Sequence, residues 1–188
     1  MMIFTESMER QLTPDLERRI RQALAEFPEL AGRRIIVGTC RNRSVHGEAD
    51  ATNLMIGLNL SRRGQPTYYT IGHELTHLLQ PGGLRVVPSG EVQCDIWTLA
   101  RSDLFCDERP SYLRVPCRKD AWKHVARGVR DLCIEAIAMR RTERKYVVWL
   151  ESRIRDLLAP AGLPLFTADG ARGAAVAPAA RHHPRTTD

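Results

Sequence analysis

The residues best suited to chemistry lie in one short segment, His73-Glu74-Leu75-Thr76-His77. Its histidines are four residues apart, so in a helix both rings project from one face and can direct a nitrogen at a single metal ion. Glu74 lies beside them, where its carboxylate can take a proton from water and pass it to a leaving group. The pattern predicts a catalytic zinc site with His73 and His77 as ligands and Glu74 as the general base.

Two carboxylates further along the chain are candidates for a third ligand. Glu91 and Asp95 are four residues apart at the start of the next predicted helix, and therefore share a face of it. With Glu91 as the ligand, a fourth position is left for water, and Asp95 can accept the free N–H of a liganding imidazole. The reverse assignment, with Asp95 as the ligand, stays open, and His124 is a further alternative to Glu91.

A hydrolase also needs a donor for the negative charge that develops on the substrate oxygen. Tyr112, His124 and Arg101 are candidates downstream of the histidine segment. The sequence does not select among them.

Hydrophobic periodicity predicts the elements that position these groups. Apolar spacing after Thr13-Pro14 predicts a helix that ends at Pro28. Few strands are expected, so the predicted class is α+β, with residues 1–160 forming one domain and 161–188 a disordered tail. The remaining predictions are strands over 33–39 and 53–60, a loop over 41–50, helices over 66–80 and 91–101, irregular chain over 102–117, and a long helix over 119–158 with a kink near Gly128.

Composition and charge restrict the partners. The chain has 188 residues, 43% of them hydrophobic, and a formal net charge of +6, which is typical of a globular protein. The segment from Arg114 to Asp156 contains twelve Lys or Arg residues and only six Asp or Glu residues. This surplus could bind nucleic acid or an acidic partner, but a solvated helix face is the simpler interpretation and is favoured.

The remaining sequence features concern the compartment. The five cysteines are widely spaced and form no CxxC pair, which favours reduced thiols over a disulfide framework. The first ten residues lack the basic and apolar regions of a secretory signal, and the apolar runs are short of the roughly 20 residues that cross a bilayer. We therefore expect a cytoplasmic protein without membrane partners.

The histidine segment followed by Glu91-x-x-x-Asp95 resembles the gluzincin metallopeptidases, whose active-site helix carries HExxH and whose next helix carries ExxxD. The short chain is most similar to the minigluzincins, and the resemblance covers about residues 50 to 101. It implies a small zincin-like core in which His73, His77 and Glu91 bind zinc, Glu74 is the general base and Asp95 lies behind a histidine. It also implies that the strand over 53–59 forms the upper rim of the cleft and pairs with an extended peptide.

Two functions are therefore predicted. The first is a zinc-dependent metallopeptidase acting on a peptide or protein substrate. The second is a regulatory or binding module of zincin-like fold with little turnover, which uses the basic 114–155 segment to bind nucleic acid or an acidic partner.

Overall fold

The computed structural model describes residues 1–40, 42, 44–61 and 65–159. Within them, six α-helices and a four-stranded mixed sheet form an α+β fold, which confirms the predicted class. The elements follow in the order β1 (Met2–Phe4), α1 (Glu6–Glu9), α2 (Pro14–Ala25), β2 (Ile35–Thr39), β3 (Gly47–Asp50), β4 (Met55–Leu58), α3 (Tyr68–His77), α4 (Glu91–Arg101), α5 (Trp122–Met139) and α6 (Tyr146–Leu158), with 3-10 helices at Pro28–Leu30 and Asp103–Asp107.

The sheet has the strand order β1-β2-β4-β3. The first three strands in this order are parallel, whereas β3 runs antiparallel to β4, with Gly47 opposite Leu58 and Asp50 opposite Met55. Strand β4 confirms the strand predicted over 53–60, and β2 confirms the one over 33–39. Because β4 is paired on both sides, it cannot accept a substrate strand. The prediction that this strand forms the rim of the cleft is therefore wrong.

The loop predicted over 41–50 is also wrong in its second half, where β3 forms the edge of the sheet. An edge strand is paired on one side only and tolerates polar side chains, so it lacks the apolar run that marks an interior strand. Its residues are half-buried or exposed. Strand β1, the first element of the chain, was not predicted.

One face of the sheet is covered by helices α2 and α3. Helix α2 begins at Pro14, as predicted. The side chain of Thr13 caps it by accepting the N–H of Leu16. The buried side chains of this layer are Met8, Leu16, Ile20, Ala23, Phe27, Leu30, Ile35, Val37, Ile56, Leu58, Ile71, Leu75, Leu78, Leu79, Val87 and Phe105. Helix α3 is thus held against the sheet along one side.

The other side of α3 packs on α4. Helix α4 packs on α5, and α5 packs on α6, around a second apolar cluster. The long helix predicted over 119–158 is wrong, because the chain reverses between α5 and α6, over residues 140–145. That stretch is polar and exposed, so it offers no face to bury. Gly128 is not a kink; it lies within α5, where a Cβ would approach Leu157 to 2.9 Å, and its small size lets α6 pack closely.

Two further predictions concern the whole chain. Among the described residues, no helix has both the length and the apolar composition that crossing a bilayer requires. The tail predicted over 161–188 lies outside the described residues.

Candidate metal centre and active-site cleft

Helix α3 carries the histidine segment through the interior of the protein. Its first turn is capped twice: the Thr67 hydroxyl accepts the N–H of Thr70, and the Asp107 carboxylate accepts the N–H groups of Tyr68 and Tyr69. All side chains from Tyr69 to Thr76 are buried. The helix therefore holds its functional groups with little freedom.

The two imidazoles converge on one carboxylate oxygen. Nε2 of His73 lies 3.1 Å, and Nε2 of His77 lies 3.2 Å, from the same Oε2 of Glu91. Donors around a tetrahedral zinc with bonds of about 2.0–2.1 Å are about 3.3 Å apart. The nitrogen–oxygen separations thus match those of three ligands of one ion, and Glu91 is placed as the resemblance implies.

The opposite nitrogen of His73 faces Asp95. Nδ1 of this ring is buried, has no aligned hydrogen-bond acceptor within the described chain, and lies 2.9 Å from Asp95 Oδ1, so the attraction is mainly electrostatic. The Asp95 carboxylate is fully buried and also accepts the hydroxyl of Tyr69 and the N–H groups of Tyr112 and Leu113. Since Asp95 lies behind the ring, the geometry favours Glu91 over Asp95 as the third donor.

Glu74 lies in the same cleft and is only 7% exposed. Burial raises the pKa of its carboxyl group to about 7, although the charge on His73 opposes this shift. Strand β3 passes so close that a Cβ on Gly47 would lie 2.5 Å from Glu74 Cγ and Oε1. Only glycine at position 47 leaves room for this carboxylate.

The electrostatics of the cluster favour a cation between the carboxylates. Burial alone would lower the pKa of His73, but its contacts with Asp95 and Glu91 outweigh that effect and raise the pKa to about 9. The hydrogen bond from His73, together with the charge of His77, lowers the pKa of Glu91 despite partial burial. The site thus combines two imidazoles with an excess of negative charge.

Cys94 is a further potential ligand that the sequence did not indicate. Its sulfur and a ring nitrogen of each histidine, His73 and His77, all lie within 4.8 Å of one another. The sulfur is 3.3 Å from Nδ1 of His77, on the side of the ring that faces away from Glu91. Burial raises the pKa of this thiol well above its ordinary value, although a bound metal ion would itself remove the proton. Cys94 therefore stays an alternative third donor, and Glu91 is favoured because the Nε2 atoms of both rings face its carboxylate.

A cavity of about 510 Å³ opens in front of these groups. One wall is formed by α3 and α4, and the other by residues 44–49, which include the start of β3. Tyr112 lies at its mouth, half-exposed, with its ring stacked on His73 at a centroid distance of 5.8 Å. Of the three predicted oxyanion donors, Tyr112 is therefore the one that the fold brings to the site.

The other two predicted donors lie elsewhere. The Arg101 guanidinium binds the carboxylate of Glu29 and the backbone carbonyl of Glu26, and it stacks on Phe27. His124 is exposed on α5 and does not line the cavity. Arg101 thus supports the packing of α4 on α2, and His124 is placed neither as a ligand nor as a donor.

Sequence reasoning missed three residues that lie against Glu74 or His77: Gly47, Gln80 and Cys94. Gln80 and Cys94 each follow a site residue by three positions in a helix or its last turn, a spacing that places them on the same side. A glycine within a strand often marks a close approach, but Gly47 lay in a segment predicted as a loop.

In comparisons with protein-family models, with curated proteins and with solved structures, nothing matched this chain. The function is therefore inferred from the donor atoms, distances and burial of the site.

Proposed function

We propose that this protein is a zinc-dependent metallopeptidase in which His73, His77 and Glu91 hold the ion and Glu74 is the general base. One observation carries the proposal: both Nε2 atoms meet a single oxygen of Glu91, at 3.1 and 3.2 Å, inside a cavity that also contains the Glu74 carboxylate. Three protein donors, two of them imidazoles, are the usual set of a catalytic zinc.

Zinc at such a site supplies Lewis acidity, which polarises a substrate carbonyl and makes water nucleophilic near neutral pH. The chain must then manage the protons. Glu74 follows His73 in α3 and faces the cavity, so it can accept the proton of the attacking water and return it to the departing amine. We assign the donation of a hydroxyl to the substrate oxygen to Tyr112, because it lines the cavity and its ring stacks on His73.

A peptide suits this cleft because β3 is an edge strand. Among the described strands β3 pairs only with β4, on one side, and the addition of an extended chain to the other side is a mode of recognition that requires little sequence specificity. The segment over 44–49 lines the cavity opposite the histidines. We therefore assign substrate pairing to β3, in place of the 53–59 strand. The gluzincin resemblance of the two helices supports the same activity.

The ligand set is tested by the metal content of the purified, zinc-supplemented chain. We expect about one zinc per chain in the wild type, none in His77→Ala, and weakened binding in Glu91→Ala. His124→Ala, a histidine exposed on α5, is the matched control and should keep the wild-type content. Loss of zinc in Cys94→Ser with retention in Glu91→Ala would reassign the third ligand to Cys94. A wild type that binds no zinc would overturn the proposal.

A second candidate function is a binding module that uses its basic surface. Arg141, Arg144 and Lys145 lie exposed in the turn between α5 and α6, and their side chains form no ion pair with a carboxylate of the described residues. Such cations can contact phosphates, with an affinity that falls as salt rises. Titration of a duplex oligonucleotide at low and high salt tests this candidate. An absence of binding at low salt would remove it.

A further inference from the structure

Gln80 contacts both His77, a predicted ligand, and the loop that immediately precedes Glu91, another predicted ligand. It follows His77 by three residues and is only 7% exposed. Its Oε1 lies 2.9 Å from Nδ1 of His77, and its Nε2 donates to the backbone carbonyls of Pro88 and Gly90, at 2.7 and 3.0 Å. The side chain therefore bridges the end of α3 and the start of α4.

These contacts determine which way the amide of Gln80 points. Two carbonyl oxygens on one side require the NH₂ group there, so the amide oxygen must face His77. An oxygen at 2.9 Å requires a hydrogen on Nδ1, and a neutral imidazole with that hydrogen has its lone pair on Nε2. Nε2 is the nitrogen that lies 3.2 Å from Glu91.

The backbone of Gln80 is held as firmly as its side chain. Its N–H donates to the carbonyl of His77, and its own carbonyl accepts the N–H groups of Gly83 and Arg85. Gly90, whose carbonyl is one of the two that the amide binds, immediately precedes Glu91. The same side chain thus orients the His77 ring and restrains the backbone next to Glu91.

We propose that Gln80 is a positioning residue of the metal centre: its amide oxygen holds His77 in the tautomer with a lone pair on Nε2, and its bonds to the loop before Glu91 fix the direction of that amide. The proposal rests on the proposed zinc site but concerns affinity for the ion, not turnover. Cys94 is a weaker partner for Nδ1, since a thiol is a poor acceptor and its sulfur is further away, at 3.3 Å.

The test uses three variants of the full chain. Gln80→Leu removes the acceptor for Nδ1 and both donors to the loop. Gln80→Glu keeps an acceptor for Nδ1, and in its protonated form it can still donate to one carbonyl. Val87→Ala is the matched control, because Val87 is buried in the same loop and its truncation loosens the loop without changing the partner of His77.

Two readouts are needed. The zinc dissociation constant, from competition with a chelating dye, should rise about 10- to 100-fold in Gln80→Leu, because the loss of such a partner typically weakens metal binding by that factor. Gln80→Glu should recover part of this loss. The ¹⁵N shifts of His77 in the metal-free protein should report hydrogen on Nδ1 in the wild type. In Gln80→Leu this nitrogen loses its acceptor, so the Glu91 carboxylate, 3.2 Å from Nε2, should draw the hydrogen to Nε2.

The outcomes separate this proposal from the proposed function. Val87→Ala should keep both the wild-type tautomer and an affinity close to that of the wild type. If Val87→Ala weakens zinc binding as much as Gln80→Leu, Gln80 acts only by holding the loop and the proposal fails. It also fails if the tautomer of His77 is unchanged in Gln80→Leu. A wild type that binds no zinc overturns the proposed function, while the tautomer experiment still decides whether Gln80 orients His77.

Discussion

The two walls of the cleft contribute in opposite ways. The α3–α4 wall presents two imidazoles and the carboxylates of Glu74 and Glu91, and all of these except Glu91 belong to helix α3. The β3 wall faces Glu74 with Gly47, where even one added carbon would lie 2.5 Å from the side chain. One wall thus works through the groups it carries, and the other through the space it leaves and the backbone edge it exposes.

This difference shows why the two walls should respond differently to substitution. A change on the α3–α4 wall removes a chemical group, and its effect depends on the role of that group. A change on the β3 wall adds bulk or shifts the backbone, and its effect depends on how far Glu74 is displaced.

The largest effect is expected on the α3–α4 wall, from Glu74→Gln. The amide is nearly isosteric but cannot accept the proton of water, so kcat for a peptide substrate should fall about 10²- to 10⁴-fold while zinc content stays at the wild-type level. Glu135→Gln, at an exposed position on α5, is the matched control. Full activity in Glu74→Gln would refute the role of this carboxylate.

The next effect concerns the strand behind the β3 wall. Ile56 in β4 is fully buried, so Ile56→Ala should lower the free energy of unfolding by about 2–5 kcal/mol, and Ile56→Asp by more. Urea denaturation measures this, with Ile134→Ala at an exposed α5 position expected to change it by less than about 0.5 kcal/mol. A fully stable Ile56→Asp would contradict the placement of β4.

Gly47→Ala tests the β3 wall itself. The added methyl group must push the Glu74 carboxylate aside, and a displacement of about 1 Å can lower kcat about 100-fold. Zinc affinity should be unchanged, because neither histidine nor Glu91 is touched. Ala49→Gly, on the same face of β3, is the control, since it removes bulk instead of adding it. Wild-type kcat in Gly47→Ala would show that the gap is not required.

The smallest predicted effect is on the α3–α4 wall and concerns Asp95, which contacts His73 but not His77. Asp95→Asn removes the negative charge behind His73, so the zinc dissociation constant should rise about 10-fold, toward the lower end of the range for such partners. Competition with a chelating dye measures it. An unchanged constant would mean that Asp95 serves the Tyr69 hydroxyl and the N–H groups of Tyr112 and Leu113 and does not affect zinc binding.

Features that depend on the local spacing of residues could be predicted from the sequence. Helix α4 has the predicted bounds, Glu91–Arg101, and α3 places His73 and His77 on one face because four residues make about one helical turn. Strands β2 and β4 were predictable because each contains a short run of consecutive apolar residues, which indicates burial. Glu91 and Asp95 were recognisable as a pair, and the resemblance implied Glu91 as a ligand and Asp95 behind a histidine, but spacing alone left the reverse assignment open.

Features that depend on contacts between residues distant in the chain could be recognised only in the folded structure. Strand β3 has no apolar run of its own and is defined by its pairing with β4, so Gly47 acquires its role only when that edge lies against Glu74. The reversal between α5 and α6 is set by the packing of two helix faces. The approach of Glu91 to both histidines depends on how α4 folds back on α3, where the Gln80 side chain bonds the backbone just before α4. Such contacts have no signature in local periodicity, because they are selected by the packing of the whole chain.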